Sequence, residues 1–212
     1  MVTVSSMDLS DVPEAVAVLE SIGALLRVPE ERAAIAAALT SADAFLTGAA
    51  VRVDASLLRS APRLRVIGAP STGTDHLDRD AIAACGITLF HLAHERALLD
   101  TFTATSELAF TLLLALVRKL HPAIHDATQG IWSRERHTGF QLLGKTFGVL
   151  GLGRLGTISA RIANGFGMRV FAHDVRDVTA PGVTMVDFAT LLREADVLSI
   201  HVHLTPETKG LL

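Results

Sequence analysis

The stretch that most narrows the folds open to this chain is residues 146–174, TFGVLGLGRLGTISARIANGFGMRVFAHD. An apolar strand runs into Gly151, Gly153 and Gly156 at G-x-G-x-x-G spacing. An amphipathic helix follows, then a second strand, and Asp174 closes the unit 23 residues after Gly151. Each part has a physical reason. Gly151 permits the tight turn out of the strand. Gly153 carries no side chain, so backbone can touch a pyrophosphate. Gly156 lets helix and strand pack closely. The N-terminus of the helix, at Arg154 and Leu155, is expected to turn backbone N–H groups and a partial positive charge toward phosphates. Asp174 stands where a carboxylate accepts hydrogen bonds from an adenosine ribose and repels a 2′-phosphate. The expected cofactor is therefore NAD rather than NADP, with Arg176, two residues on, softening the preference.

The rest of the chain alternates helices and short strands. Helical spacing covers 11–23 and 29–42, the latter with Pro29 at its start, and 54–62 and 79–86, the last capped by Gly86. Strands are expected at 43–48, 64–70 and 87–92, with a loop, STGTDHLD, at 71–78. Such alternation predicts α/β architecture, a parallel sheet with helices on both faces. A long apolar helix is expected over about 103–120 and a connector over 121–144, before the glycine-loop unit begins. The expected boundary between two domains lies near residue 100.

Composition removes several classes of function. A formal net charge of −3 argues against nucleic-acid or anionic-membrane partners. The single cysteine, Cys85, forms no internal disulfide and suits a reducing cytoplasm. MVTVSSMDLS lacks the basic start and apolar run of a signal peptide. The greasiest run, LAFTLLLALV at 108–117, is short of the roughly 20 residues of a membrane span. No metal-ligand spacing stands out.

Several stretches together resemble the D-isomer-specific 2-hydroxyacid dehydrogenases: LLRSAPRLRVIGAPSTGTDHLD (57–78), GITLFHLAHERALLDTFTATSELAFTLLLALVRKL (86–120), LLGKTFGVLGLGRLG (142–156), GFGMRVFAHD (165–174) and DFATLLREADVLSIHVHLTPETKGLL (187–212). The resemblance implies a flavodoxin-like substrate domain over 1–100 and a Rossmann NAD-binding domain over 101–212, the latter incomplete. It implies hydride transfer between NAD(H) and a D-2-hydroxy acid or its 2-keto acid. The backbone of Ser71, Thr72 and Gly73 would hold the substrate carboxylate. Thr105 would lie near the nicotinamide, and Val202, His203, Thr205 and Thr208 beside the adenine and ribose. The family's usual His-x-Pro-Leu-Thr reads HVHLT here, with His203 in the proline's place. The apolar helix implies a homodimer.

The family's catalytic arginine, glutamate and histidine fall beyond Leu212 by the same resemblance. Were the native chain to end there, the expectation becomes a non-catalytic NAD-binding module. The local alternatives are His76, His91, His94, His201, His203 and Glu107. The histidines are expected to be solvated or core residues, and Glu107 a structural carboxylate at a helix start.

Overall fold

The protein was analysed as a computed structural model that describes residues 1–212, the side chain of His94 excepted. The chain divides into two compact units, Met1–Leu99 and Asp100–Leu212.

The first unit is β1 (Val2–Ser5), α1 (Pro13–Ser21), β2 (Ala24–Arg27), α2 (Arg32–Leu39), β3 (Ala44–Leu46), α3 (Ala55–Leu58), β4 (Val66–Ala69), α4 (Arg79–Ala84) and β5 (Thr88–His91), then a 3-10 turn (Leu92–His94) and α5 (Arg96–Leu99). All five strands are parallel, in the order β2-β1-β3-β4-β5. That is the flavodoxin-like order, with one reversal beside β1. Val4, Phe45 and Ile67 from neighbouring strands meet Ile35 and Leu39 of α2 and Leu57 of α3 in one core. Asp54 and Asp78 cap α3 and α4, accepting from the N–H groups of Leu57 and Ala81. Helix α2 starts at Arg32, not at Pro29 as its proline suggested: the backbone at Glu31 is still extended, and the Glu30 carboxylate accepts from the Ala50 N–H at 2.9 Å.

The second unit is α6 (Ala104–Val117), α7 (Leu120–Thr128), β6 (Thr146–Leu150), α8 (Arg154–Gly165), β7 (Arg169–His173), β8 (Val183–Met185), α9 (Phe188–Glu194) and β9 (Val197–Ile200). Its parallel sheet has the order β8-β7-β6-β9. Strand β6 is buried along its whole length. Successive strand residues face opposite sides of a sheet. A Cβ on Gly148 would meet Leu191 and Ala195 around the C-terminal half of α9, whereas a Cβ on Gly156 of α8 would meet Val149. Helices therefore cover both faces, α9 on one and α8 on the other. Phe110 of α6 stacks on Phe147, 5.2 Å between ring centres, which puts α6 on the α8 side.

The expected helix at 103–120 is broken. Lys119 adopts a left-handed conformation, φ 50°, and turns the chain into α7, so the first part of the expected connector is helical. The rest is clasped by Asp126, a buried carboxylate that binds His137 Nε2 and an Arg136 guanidinium nitrogen, each at 2.9 Å. The stretch Arg96–Val117 has the length and hydropathy of a membrane span by composition alone. Its helix is interrupted between Leu99 and Ala104, and α6 by itself, at 14 residues, reaches only about 21 Å against roughly 30 Å of hydrocarbon.

Candidate functional site

The glycine loop joins β6 to α8 where the strand order of the second unit reverses, between β6 and β9. Its glycines have different local requirements. Gly151 has φ 93°, and a Cβ there would lie 2.9 Å from the His201 carbonyl oxygen and from Val202 Cγ1. A Cβ on Gly156 would lie 2.2 Å from the Gly151 carbonyl oxygen. Gly153 is different: its backbone is extended, and the nearest atom to an added Cβ is Arg176 Nη2 at 3.8 Å. Folding does not require glycine at 153. The open backbone there, beside a twelve-residue helix whose N-terminus has no side-chain cap, fits a phosphate group.

Asp174 follows β7 and is 5% exposed. Its Oδ2 accepts from the Leu152 N–H and from Arg176 Nη2, both at 2.8 Å; its Oδ1 accepts from the Arg176 N–H and Nε, both at 2.9 Å. The bonds from Arg176 and from the Leu152 N–H hold its carboxyl at about 2. A 350 Å³ pocket opens beside it, lined by Asp174, Arg176, Val178, Met185, Val186 and Asp187 among others. Its apolar side comes from the loop after β7 and the end of β8. No motif spacing announced those residues, and only a structure brings them to Asp174.

Around the loop, Arg154 Nη1 donates to the Phe102 carbonyl at 2.9 Å. Val202 packs against Gly151. Thr205 and Thr208 are engaged with each other: the Thr208 hydroxyl accepts from the Thr205 N–H at 2.8 Å and reaches the His203 carbonyl at 2.6 Å. Thr105 lies exposed on the first turn of α6. The α6 residue that touches α8 is its neighbour Ser106, fully buried and hydrogen-bonded to Ser159 Oγ at 3.1 Å. A small polar residue at a helix start gave no signal for this in the sequence.

In the first unit, the Ser71 N–H is spent on Ala69 O at 2.7 Å and the Ser71 hydroxyl on Gly73 O at 2.8 Å. Among the described residues the N–H groups of Thr72 and Gly73 have no acceptor. They lie just past the C-terminal end of β4, where open α/β sheets bind ligands.

Residues 8–98 match the model of the "D-isomer specific 2-hydroxyacid dehydrogenase, catalytic domain", and residues 110–212 that of the same family's NAD binding domain. The chain belongs to the D-isomer specific 2-hydroxyacid dehydrogenase family. A D-3-phosphoglycerate dehydrogenase of Mycobacterium leprae is 37% identical over 187 residues, which are 86% of this chain and 34% of that protein. A glyoxylate reductase of Aeropyrum pernix is 36% identical over 182 residues, 81% of this chain and 53% of that one. This chain thus spans about a third to a half of those relatives. Among solved structures, the apo D-lactate dehydrogenase of Escherichia coli has a TM-score of 0.84 at 29% identity, covering 100% of this chain and 67% of that one. D-lactate dehydrogenase of Aquifex aeolicus, solved with NAD and lactic acid, gives 0.78 at 28%, covering 98% and 62%. The α/β fold and the NAD-binding class of the second unit agree with the expectations from sequence.

The local acid–base candidates sit in unlike surroundings. His76 is buried, and its Nε2 has no partner among the described residues. His91 caps the turn after β5, Nδ1 accepting from the Ala93 N–H at 3.3 Å. His201 faces Ser199 Oγ at 2.8 Å, and burial lowers its pKa. His203 is exposed, and the side chain of His94 lies outside the described residues. The Glu107 carboxylate is bonded by the Thr103 hydroxyl at the start of α6.

The Asp174 pairing has a pH signature. Its folded pKa is depressed below the ordinary 3.8, so its contribution to stability is present above about pH 4 and is lost as pH falls through about 2. Arg176 is 60% exposed, and solvent screens the pair. Acidification from neutral to about pH 3 is expected to cost the parent about 1 kcal/mol more than Asp174→Asn. Denaturant midpoints at the two pH values check this; equal losses in both proteins would refute it.

Proposed function

We propose that the second unit binds NAD(H) along the glycine loop and that the protein to which this chain belongs interconverts a D-2-hydroxy acid and its 2-keto acid. The observation that carries this reading is Gly153, a glycine the fold does not need, held open beneath the uncapped N-terminus of α8. On this reading the N–H groups at Gly153, Arg154 and Leu155 receive the pyrophosphate, and Asp174 receives the adenosine ribose. Gly151 and Gly156 shape the turn. Val202, His203, Thr205 and Thr208 form the wall on the β9 side, and Thr105 lies on the nicotinamide side. The unpaired N–H groups of Thr72 and Gly73, in the turn fixed by Ser71, receive the substrate carboxylate. NAD supplies the hydride acceptor; this chain's residues bind and orient the two anions.

The relatives named above act on different acids, and this chain's loop recognises the carboxylate they share. The exposed thiol of Cys85 supports a reducing, cytoplasmic setting. A homodimer through α6 completes the reading. The test is NADH oxidation by the full-length native protein against a panel of 2-keto acids, with NAD⁺ titrated calorimetrically in parallel. Binding with turnover is expected. NAD⁺ binding without turnover on any acid would leave a non-catalytic binding module, and no binding would overturn the reading altogether.

A further inference from the structure

The Asp174 carboxylate has no capacity to spare. A carboxylate offers about four lone-pair sites. Here four donors take them: the Leu152 N–H, the Arg176 N–H, and Nε and Nη2 of the Arg176 fork. A ribose diol reaches this carboxylate only by displacing a donor. The two backbone donors belong to the glycine loop and the turn after β7. The Arg176 side chain alone can leave by rotation, and it is the exposed partner. Its guanidinium already lies beside the phosphate loop, with Nη2 3.8 Å from where a Gly153 Cβ would sit, and it borders the 350 Å³ pocket next to Asp174.

From this geometry we infer that Arg176 sets the nucleotide preference of the site, by occupying the ribose-binding carboxylate against NAD and by offering its fork to the 2′-phosphate of NADP. This rests on the dinucleotide reading of the second unit. The physical argument has two sides. To bind NAD, the site exchanges a bidentate ion pair for two neutral hydroxyl donors. To bind NADP, it exchanges one anion for another on the same guanidinium, and a phosphate dianion is the stronger bidentate partner. Asp174 still repels a 2′-phosphate, and the guanidinium, facing both anions, offsets part of that repulsion. The site therefore discriminates between the two dinucleotides much less than an aspartate in this position would alone.

The test is calorimetric titration of the full-length protein with NAD⁺ and NADP⁺ separately, at fixed salt. In the parent, the two dissociation constants are expected within about tenfold of each other. In Arg176→Gln, NADP⁺ weakens by at least about tenfold while NAD⁺ tightens by a few fold. Arg176→Lys, which keeps the charge without the fork, falls between for NADP⁺. A parallel loss for both dinucleotides in Arg176→Gln would mean that Arg176 serves the shared pyrophosphate, and would overturn the inference. So would an unchanged ratio, or a parent that binds NAD⁺ and rejects NADP⁺. A parent that binds neither dinucleotide defeats the dinucleotide reading itself, a distinguishable result.

Discussion

Gly153→Val is expected to abolish dinucleotide binding while the protein stays folded, and Gly156→Val to unfold the second unit. The two glycines belong to the same loop, yet their surroundings differ. At 153 the backbone is extended, a conformation valine adopts readily, and the nearest atom to the new Cβ is the end of a flexible arginine 3.8 Å away. The side chain then stands where a pyrophosphate must touch backbone. A loss of at least about 100-fold in NAD⁺ affinity is expected, about 3 kcal/mol, with a melting temperature within a few degrees of the parent. At 156 the new Cβ lies 2.2 Å from the Gly151 carbonyl oxygen. No rotamer relieves that overlap, because the first side-chain carbon makes it. Helix α8 must lift from β6, and a destabilisation of about 3 kcal/mol or more follows. Thermal melts with NAD⁺ titrations on both variants separate the roles. Undiminished NAD⁺ affinity in Gly153→Val would sink the proposed site; a parent-like melt in Gly156→Val would refute the packing argument.

That contrast also shows how much the sequence disclosed. The strand, glycine turn, helix, second strand and acid of the second unit were legible because each is a local signal: an apolar run, a fixed glycine spacing, a helical face and a charge at a strand end. Spacing suggested a role for each glycine, but the atoms that enforce it were not legible: those that crowd Gly151 belong to His201 and Val202, about fifty residues away. Strands β1 and β2 gave little signal. Each is four residues long, and Ala24–Arg27 is largely exposed at the sheet edge without a clean alternation. The break at Lys119 was marked only indirectly, by Pro122 in the first turn of α7, since no glycine stands at the left-handed position itself. Spacing singled out Asp174 at the end of β7, but its saturation by four donors required the turn that brings Arg176 back onto it. The pocket beside it joins charged residues to Val178, Met185 and Val186, which would pass for ordinary core in any linear reading.

Helix α6 carries the second large effect. One face is spent inside the unit: Ser106, Phe110 and Val117 are buried, and Phe110 stacks between Phe147 and Phe166. The opposite face is also apolar. Leu108, Leu112 and Leu116, spaced four apart, are 59%, 62% and 77% exposed, and Leu120 and Ile124 extend the exposed apolar surface past the break at Lys119. A helix needs one apolar stripe to hold its own domain, so a second one marks a surface built to be covered. On the homodimer reading, this face meets its own copy. Full burial of a leucine stabilises by about 1.5–3 kcal/mol, and symmetry uses each position twice. A glutamate at 112 or 116 replaces that gain with a charge desolvated at the centre of an apolar interface. Leu112→Glu and Leu116→Glu are each expected to weaken the dimer by at least about 100-fold, turning it monomeric at micromolar concentration. NAD⁺ binding should persist, since the glycine loop lies on other elements. Sedimentation velocity on the full-length protein and both variants reads this directly. A parent already monomeric at micromolar concentration would remove the homodimer, and a variant that stays dimeric would move the interface off α6.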